Sequence, residues 1–254
     1  MKRLKKFLKA IGIGFLILAG ILLVAKLVLD KPLPQGIEGS RAEALAQKML
    51  KAINDTAWQQ VEAVKWNFDG RHQLLWDKKR HFAKVEWDEN LVIIDCDSQK
   101  GFAFKKGSLV EDLDEKSNLL KKAYFIWAND SYWLNPVSKI YDNGVTRKYV
   151  ETEDENGALL VTYSSGGVTP GDSYLWYVDE NGLPYKWEMW VKIVPINGLK
   201  TTWEKWGNYN GILISTQHKL GPITTQILDI EMVNDASLWF GENDPFEGLE
   251  NRQL

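Results

Sequence analysis

A period of two begins in the segment Val64-Lys65-Trp66-Asn67-Phe68-Asp69-Gly70. Its apolar residues Val64, Trp66 and Phe68 alternate with polar residues, so in an extended chain they share one face. The glycine that follows favours a turn. The segment therefore predicts a half-buried strand that ends at Gly70.

The same period of two recurs along most of the remaining chain. The further predicted strands are residues 80–87, 91–97, 102–105, 145–150, 158–164, 174–179, 183–195, 199–206, 212–219 and 223–232. Connections such as Asn181-Gly182 and Asn197-Gly198 are typical of hairpins. A sheet of about ten or more strands must curl. We therefore predict an α+β fold, mainly β, in which residues 40–232 form one curved antiparallel sheet, a half-barrel.

Two helices are predicted to pack on the concave side of this sheet. Ser40 and Glu43 have the spacing of a capping box, and apolar residues then recur at helical spacing as far as Ile53. This pattern predicts a helix of about fourteen residues, followed by a short helical turn around Trp58. A second amphipathic helix is predicted over residues 120–130, where apolar residues again recur at helical spacing.

The N-terminal segment predicts a transmembrane helix. Residues 10–29 are apolar apart from Lys26, and twenty residues of helix rise about 30 Å, the thickness of a hydrocarbon core. Cations precede this segment at Lys2, Arg3, Lys5, Lys6 and Lys9. By the positive-inside rule they hold that end in the cytoplasm, so the chain after Asp30 lies across the membrane. A cleaved secretory signal is the alternative, but no convincing small-residue cleavage site follows the apolar run.

These patterns divide the chain into three parts. Residues 1–30 are predicted to be an uncleaved signal-anchor, and residues 31–39 a short linker rich in proline and glycine. Residues 40–254 are predicted to form one domain beyond the membrane. The partner predicted for residues 10–29 is therefore the membrane itself.

Charge and cysteine content exclude several classes of function. Of the 31 Lys and Arg and the 34 Asp and Glu, seven bases and one acid lie in residues 1–31, which leaves a net charge of about −9 on the rest. Such a surface repels nucleic acid, so no nucleic-acid partner is expected. Cys96 is the only cysteine. An intrachain disulfide and a thiolate metal cluster are therefore excluded.

No catalytic or metal-binding motif is recognisable in the sequence. The histidines His72, His81 and His218 are far apart and form no ligand pattern. His81 and His218 are more simply interpreted as core or rim residues of strands. The acidic runs at residues 111–115 and 151–155 lack the spacing of a calcium loop and are interpreted as solvated turns. We expect no cofactor and no metal.

Aromatic residues are unusually abundant, with 12 Trp, 9 Tyr and 9 Phe in 254 residues. The simplest interpretation is an aromatic β core, since such residues favour strands and bury large areas. The functional interpretation is that some of them line an apolar cavity. The candidates for a ligand cavity are Trp66, Phe68, Tyr185, Trp187, Met189, Val191 and Ile193. Trp190 falls on the polar face of its strand and has no explanation in this pattern.

Several segments carry a family resemblance. They are Trp127-Ala128-Asn129-Asp130-Ser131-Tyr132-Trp133-Leu134, Gly166-Gly167-Val168-Thr169-Pro170-Gly171-Asp172 and Asp179-Glu180-Asn181-Gly182-Leu183-Pro184. With the basic and apolar N-terminus and the Ala/Leu-rich first helix, the chain resembles the outer-membrane lipoprotein carrier (LolA-like) superfamily. It is most similar to uncharacterised membrane-anchored bacterial envelope proteins of that fold. The resemblance implies a half-barrel covered by helices, with acyl chains held in an apolar cavity, in the periplasm at the bacterial inner membrane.

Three hypotheses of function follow from these observations. The first is a module that binds a lipid or the acyl chain of a lipoprotein inside the curved sheet. The second is an envelope protein-interaction domain with a filled core and no ligand. The third is an enzyme whose site has no recognisable motif. Open space of a few hundred Å³ inside the curve distinguishes the first two, because a ligand cavity must not be filled by side chains.

Overall fold

The structure is a computed structural model that describes residues 28–153, 157–166 and 168–250, together with positions 9, 12–15, 17, 20 and 26. The helices are α1 (Ser40–Ile53), α2 (Asp55–Gln59), α3 (Leu113–Leu134), α4 (Ser237–Phe240) and α5 (Glu247–Glu250), with 3-10 turns at Val137–Lys139 and Gly241–Asn243. The strands are β1 (Ala63–Phe68), β2 (His72–Asp77), β3 (Phe82–Trp87), β4 (Asn90–Asp95), β5 (Gly101–Lys105), β6 (Ser108–Leu109), β7 (Val145–Val150), β8 (Ala158–Tyr163), β9 (Ser173–Val178), β10 (Pro184–Trp190), β11 (Leu199–Thr202), β12 (Glu204–Tyr209), β13 (Ile212–Leu220) and β14 (Ile223–Val233).

The fold is mainly β, with curved antiparallel sheets and few helices, as the sequence predicts. The expectation of a single sheet is wrong, because the strands form two. One has nine strands in the order β12-β13-β14-β1-β2-β3-β4-β5-β6, and the other has five in the order β11-β10-β9-β8-β7. Neighbouring strands are antiparallel in both sheets.

The two sheets are joined at Trp203. The preceding residue, Thr202, pairs with β10 in the five-stranded sheet, whereas the following residue, Glu204, pairs with β13 in the nine-stranded sheet. Trp203 itself is buried, and its backbone N–H donates to the carbonyl oxygen of Tyr185 at 2.8 Å. One continuous segment therefore changes its pairing partner at a single residue, which splits the predicted sheet in two.

Helix α3 covers the inner face of the nine-stranded sheet, where it packs on β3, β4, β5 and β13. The buried side chains between helix and sheet form what we call the Trp66 cluster. Its members include Val64, Trp66, Phe68, Trp76, Trp87, Ile94, Ala123, Ile126, Trp127 and Leu134. The alternation that predicts a shared face for Trp66 and Phe68 is confirmed.

Helix α3 runs over 22 residues and is longer at both ends than the sequence predicts. Its first turn is capped by Asp112, whose side chain accepts from the backbone N–H of Glu115 at 2.8 Å. No glycine or proline interrupts it before Pro136. The polar pair Asn129-Asp130, predicted to end the helix, instead lies inside it, because Asp130 is buried against β2.

Helix α1 matches the prediction, with fourteen residues that pack on β7, β8 and β13. The predicted capping box is wrong. Gly39 is the N-cap, Ser40 is already inside the helix, and no side chain caps its first turn. The Glu43 carboxylate instead accepts from the Tyr141 hydroxyl at 2.6 Å and from Arg147 Nε at 3.0 Å. Glu43 therefore fixes the helix to the turn that precedes β7 and to β7 itself.

The C-terminal segment covers the outer face of the nine-stranded sheet. Phe240 and Phe246 are buried there against Phe82 and other outward-facing residues of the sheet. Arg80 bonds both the buried Asp77 and Asp244, and so fastens the segment to the β2–β3 turn. The period-two pattern does not extend to these residues, for which no helix or strand is predicted.

Most of the predicted membrane anchor, residues 10–29, lies outside the described residues. Within the described part of the chain, no helix has both the length and the apolar character needed to cross a bilayer. The linker that follows is extended, and Ile37 forms a two-residue antiparallel bridge with Tyr149 of β7.

Candidate functional site

An aromatic cluster fills the space between the five-stranded sheet and the helices, and we call it the Trp187 cluster. Its members are Tyr132 and Trp133 at the end of α3, Tyr163 of β8, Tyr174 and Trp176 of β9, Trp187 of β10, Trp203 at the sheet junction and His218 of β13. Cross-strand register places Trp187 directly opposite Trp176. Helix α1 closes one side with Ala46, Met49 and Ile53.

Trp187 is fully buried and lies at the centre of this cluster. Its ring centroid lies 4.5 Å from that of Tyr174, 4.7 Å from Trp176, 4.9 Å from Trp203 and 5.1 Å from Trp133. Most of these contacts are edge-to-face or tilted, the geometries that aromatic quadrupoles favour. Trp133 also packs against the Trp66 cluster, so the aromatic interior is continuous across both sheets.

Several polar atoms of the Trp187 cluster are buried without a hydrogen-bond partner among the described residues. They are the indole Nε1 atoms of Trp176, Trp187 and Trp203, the hydroxyl oxygens of Tyr132 and Tyr163, and both ring nitrogens of His218. The Trp66 cluster adds three more indole nitrogens, from Trp66, Trp76 and Trp127. An indole nitrogen can only donate. Since each unpaired buried donor costs about 1–3 kcal/mol, the interior favours a group that accepts hydrogen bonds.

The Trp187 cluster is electrically neutral. Burial raises the pKa of the Tyr132, Tyr163 and Tyr174 hydroxyls well above the ordinary value of 10.0. Tyr132 and Tyr163 lie close enough to influence each other's pKa, although neither hydroxyl makes a well-formed hydrogen bond. Burial lowers the pKa of His218 from 6.5 to about 4. A ligand portion held here would therefore be uncharged, because no ionised side chain of the cluster could pair with a charge.

A buried carboxylate pins α3 to the nine-stranded sheet. Asp130 Oδ2 lies 2.6 Å from Nδ1 of His72 on β2, and its other oxygen accepts from Asn129 at 2.9 Å. Burial raises the pKa of Asp130, and the hydrogen bond from His72 opposes this change. The pair holds the last turns of α3, and with them Tyr132 and Trp133, over the interior.

Replacing Asp130 by alanine is expected to destabilise the fold by about 1.5–3 kcal/mol, the range for hydrogen bonds to charged groups. Chemical unfolding followed by circular dichroism measures this loss. The matched control is Asp114→Ala, an exposed acid in the first turn of the same helix, which should cost less than about 1 kcal/mol. Equal losses in the two variants would contradict the pinning of α3 by Asp130.

The predicted cavity residues do not all come together. Trp66 and Phe68 lie in the Trp66 cluster, whereas Trp187 lies in the Trp187 cluster. Met189 near the end of β10 and Val191 just after this strand are buried, but outside the Trp187 cluster. Tyr185 and Ile193 are 40% and 60% exposed. Strand β10 ends at Trp190 instead of residue 195, so Val191 and Ile193 belong to a loop. The pairing of β10 with β9 shifts register between Pro184 and Lys186, and this bulge turns Tyr185 outward.

Two open depressions lie on the outer faces of the sheets. One, of about 350 Å³, is lined by residues of β1, β2, β3 and β14. They are mostly polar and include Lys65 and Glu86, but the predicted cavity residue Trp66 also borders it. The other, of about 490 Å³, lies between the linker at residues 33–36 and strands β7 and β8. Neither is lined by residues of the Trp187 cluster. Among the described residues, no group of His, Cys, Asp and Glu has the arrangement of a metal site.

No sequence pattern predicts that most members of the Trp187 cluster come together. Tyr163, Tyr174 and Trp176 lie in predicted strands, but period-two alternation does not show which strands face each other. Tyr132 and Trp133 lie beyond the predicted end of the second helix. Two members are anticipated by the sequence: Trp187 is among the predicted cavity residues, and His218, interpreted as a core or rim residue, is buried.

Comparison with protein-family models finds no match for this chain, and comparison with curated proteins finds no significant match. Among solved structures, the chain is similar to a DUF1329 family protein from Desulfovibrio piger, with 9% sequence identity and a TM-score of 0.42. That similarity covers 80% of this chain and 99% of the other. A similarity at this level carries no argument about function.

Proposed function

We propose that the protein binds the acyl chain of a lipid or lipoprotein between its helices and sheets. The observation that carries the proposal is the Trp187 cluster, an apolar interior whose buried indole and hydroxyl groups lack partners. The two sheets, with α1 and α3, would together act as the half-barrel container that the LolA-like resemblance implies. Residues 10–29 would anchor the container in the bacterial inner membrane, with the domain in the periplasm.

The chemistry of the cluster suits an uncharged amphiphile. Each methylene moved from water into the aromatic interior contributes about 0.8 kcal/mol. The indole donors of Trp176, Trp187 and Trp203 need acceptors, and the carbonyl oxygens of acyl esters and amides are acceptors without a charge. An acyl chain and its first carbonyl group therefore match both the apolar and the polar surfaces that the cluster offers.

Binding requires the interior to open. Trp66, Trp176 and Trp187 fill the space in this conformation, since all three side chains are fully buried. Opening would require a helix to separate from its sheet. Helix α3 is held to β2 by the Asp130–His72 pair, and α1 is held to β7 by Glu43, so these contacts would have to break. An acyl chain that enters between a helix and a sheet would therefore push aromatic rings aside, because rings and not water molecules occupy that space.

A protein-interaction domain with a filled core is the second candidate. It is favoured by the same packing, because the two depressions lie on the outer faces and not inside the sheets. In that case the unpartnered donors would be a cost of packing many tryptophans together, without a ligand to satisfy them.

A photoreactive acyl chain distinguishes the two candidates. The full chain is produced in a bacterial host fed with a diazirine fatty acid, membranes are irradiated, and crosslinked peptides are mapped by mass spectrometry. We expect crosslinks within β8, β9 and β10 at the Trp187 cluster. Crosslinks confined to residues 10–29 and to surface loops would contradict acyl binding and support the filled-core candidate.

A matched pair of variants sharpens this experiment. Trp187→Phe keeps an aromatic ring but removes the indole donor, a loss of about 0.5–1.5 kcal/mol for one hydrogen bond. Crosslinking at the cluster should therefore fall. Trp239→Phe makes the same change in the C-terminal segment on the outer face, and should leave the yield unchanged.

A further inference from the structure

The loop between β10 and β11, residues 191–198, is fastened to the segment that leads out of the predicted anchor. Asp30 accepts from the backbone N–H of Asn197 at 2.7 Å, and the backbone N–H of Lys31 donates to the Asn197 carbonyl at 3.2 Å. On the other side of the hairpin, Trp190 Nε1 donates to the Lys31 carbonyl at 2.8 Å. This contact accounts for the tryptophan that strand alternation leaves on a polar face.

Charge and shape reinforce the same contact. Lys31 Nζ lies 3.0 Å from Glu188, whose side chain is only 8% exposed. Gly198 has a φ of +73°, and a Cβ placed there would lie 2.7 Å from Cβ of Lys31. Glycine is therefore required for this close approach. Residues 30 and 31 are therefore packed against the domain surface and are not a free linker.

The loop lies at the depth of the predicted membrane interface. Lys26 Nζ donates to the Pro195 carbonyl at 2.6 Å, and Lys26 precedes the end of the predicted span at residue 29 by only about 4.5 Å of helix. A lysine at this place extends its ammonium group into the lipid headgroups. Because of this hydrogen bond, Pro195 lies at about the same depth in the bilayer as the ammonium group of Lys26.

Both bonded segments carry exposed apolar side chains. Ile193 of the loop is 60% exposed, and Val28, Leu29 and Leu33, on either side of residues 30 and 31 in the sequence, are also exposed. Apolar side chains that continue the surface of a membrane helix gain free energy when the interface covers them.

We propose that loop 191–198 inserts into the outer interface of the same bilayer that receives residues 10–29. The proposal rests on the anchor assigned under the proposed function. The bilayer is the partner because the loop is bonded to the residues that follow the predicted anchor and, like them, exposes apolar side chains. Insertion fixes the orientation of the domain, with the β10–β11 hairpin turned toward the lipid and the far edge of the nine-stranded sheet turned away.

The proposal is tested with a fluorophore on the loop. The full chain carrying Ile193→Cys is labelled with a polarity-sensitive dye and reconstituted into phosphatidylethanolamine and phosphatidylglycerol vesicles that contain lipids with quenchers at defined depths. Cys96 does not interfere, because it is buried and its burial raises the pKa of the thiol. The parent chain, treated in the same way, measures any residual labelling.

Leu109→Cys supplies the matched control. Leu109 is a 51% exposed apolar residue of β6, at the opposite edge of the nine-stranded sheet. We expect several-fold stronger lipid quenching at position 193 than at position 109, with the strongest effect from headgroup-proximal quenchers. Equal quenching at the two positions overturns the proposal.

Flotation of the vesicles separates the possible failures. If the protein floats with the vesicles and position 193 is not quenched, the anchor stands and the loop proposal fails. If the protein does not float, both the anchor and the loop proposal fail. Acyl binding in the interior is judged independently, by crosslinks at the Trp187 cluster.

Discussion

Replacing Trp187 by alanine is expected to lower the free energy of unfolding by about 3–5 kcal/mol, the range for removing a large aromatic side chain from a core. The ring is fully buried, and five aromatic neighbours lie with their centroids within about 6 Å. Neighbouring rings cannot fill the space, since each is held by its own strand or helix. Denaturant unfolding of the full chain in detergent micelles, followed by tryptophan fluorescence and circular dichroism, measures the loss.

Tyr185→Ala is the control for this variant. Tyr185 lies two residues earlier on the same strand, but it is turned outward by the bulge and is 40% exposed. Its replacement should cost less than about 1 kcal/mol. A loss at Trp187 as small as that at Tyr185 would show that the cluster is not tightly packed, contrary to the geometry of its rings.

Acid is expected to destabilise the fold through His218. Burial holds the pKa of this imidazole at about 4, against 6.5 in the unfolded chain, although the Thr202 backbone and the Glu204 carboxylate oppose the effect. Between these two values the unfolded chain binds a proton that the folded chain does not. The contribution of His218 is therefore fully present above pH 6.5 and is lost as the pH falls toward 4. At about 1.4 kcal/mol per pKa unit, the loss reaches about 3 kcal/mol.

The difference between two proteins isolates this effect from the titration of carboxylates. The free energy of unfolding is measured from pH 7.5 to pH 4 for the unmodified chain and for His218→Phe. We expect the variant to lose less stability over this interval than the unmodified chain. The control His81→Phe changes a partly exposed histidine that bonds Asp97 at the surface. If His218→Phe retains the full pH dependence, another group must be responsible for it.

Local structure is predicted well where it depends on neighbours in sequence. The alternation around Trp66 identifies a strand and its buried face, and helical spacing gives the bounds of α1. Tyr185 shows where this reasoning stops, because the bulge that turns it outward arises from pairing with β9. The length of α3 shows the same limit, since Asp130 lies inside the helix and meets His72 of β2, a partner 58 residues away in the sequence.

The candidate site depends on contacts that no local pattern contains. Trp187 of β10 contacts Trp203, which follows β11, and it contacts Tyr132 of helix α3. Composition indicates that tryptophans are abundant, but it does not show which of them converge. The division into two sheets has the same origin, because it is decided by which strand pairs with each half of residues 199–209.

The junction at Trp203 has a mechanical consequence. A change in the angle between the two sheets must be absorbed by the few backbone torsions near this residue, as in a hinge. Its indole ring lies 4.9 Å from Trp187 and 4.2 Å from His218, so rotation at the junction would drive a repacking of the aromatic interior. Separation of the two sheets and rearrangement of the aromatic rings between them would then be one coupled motion.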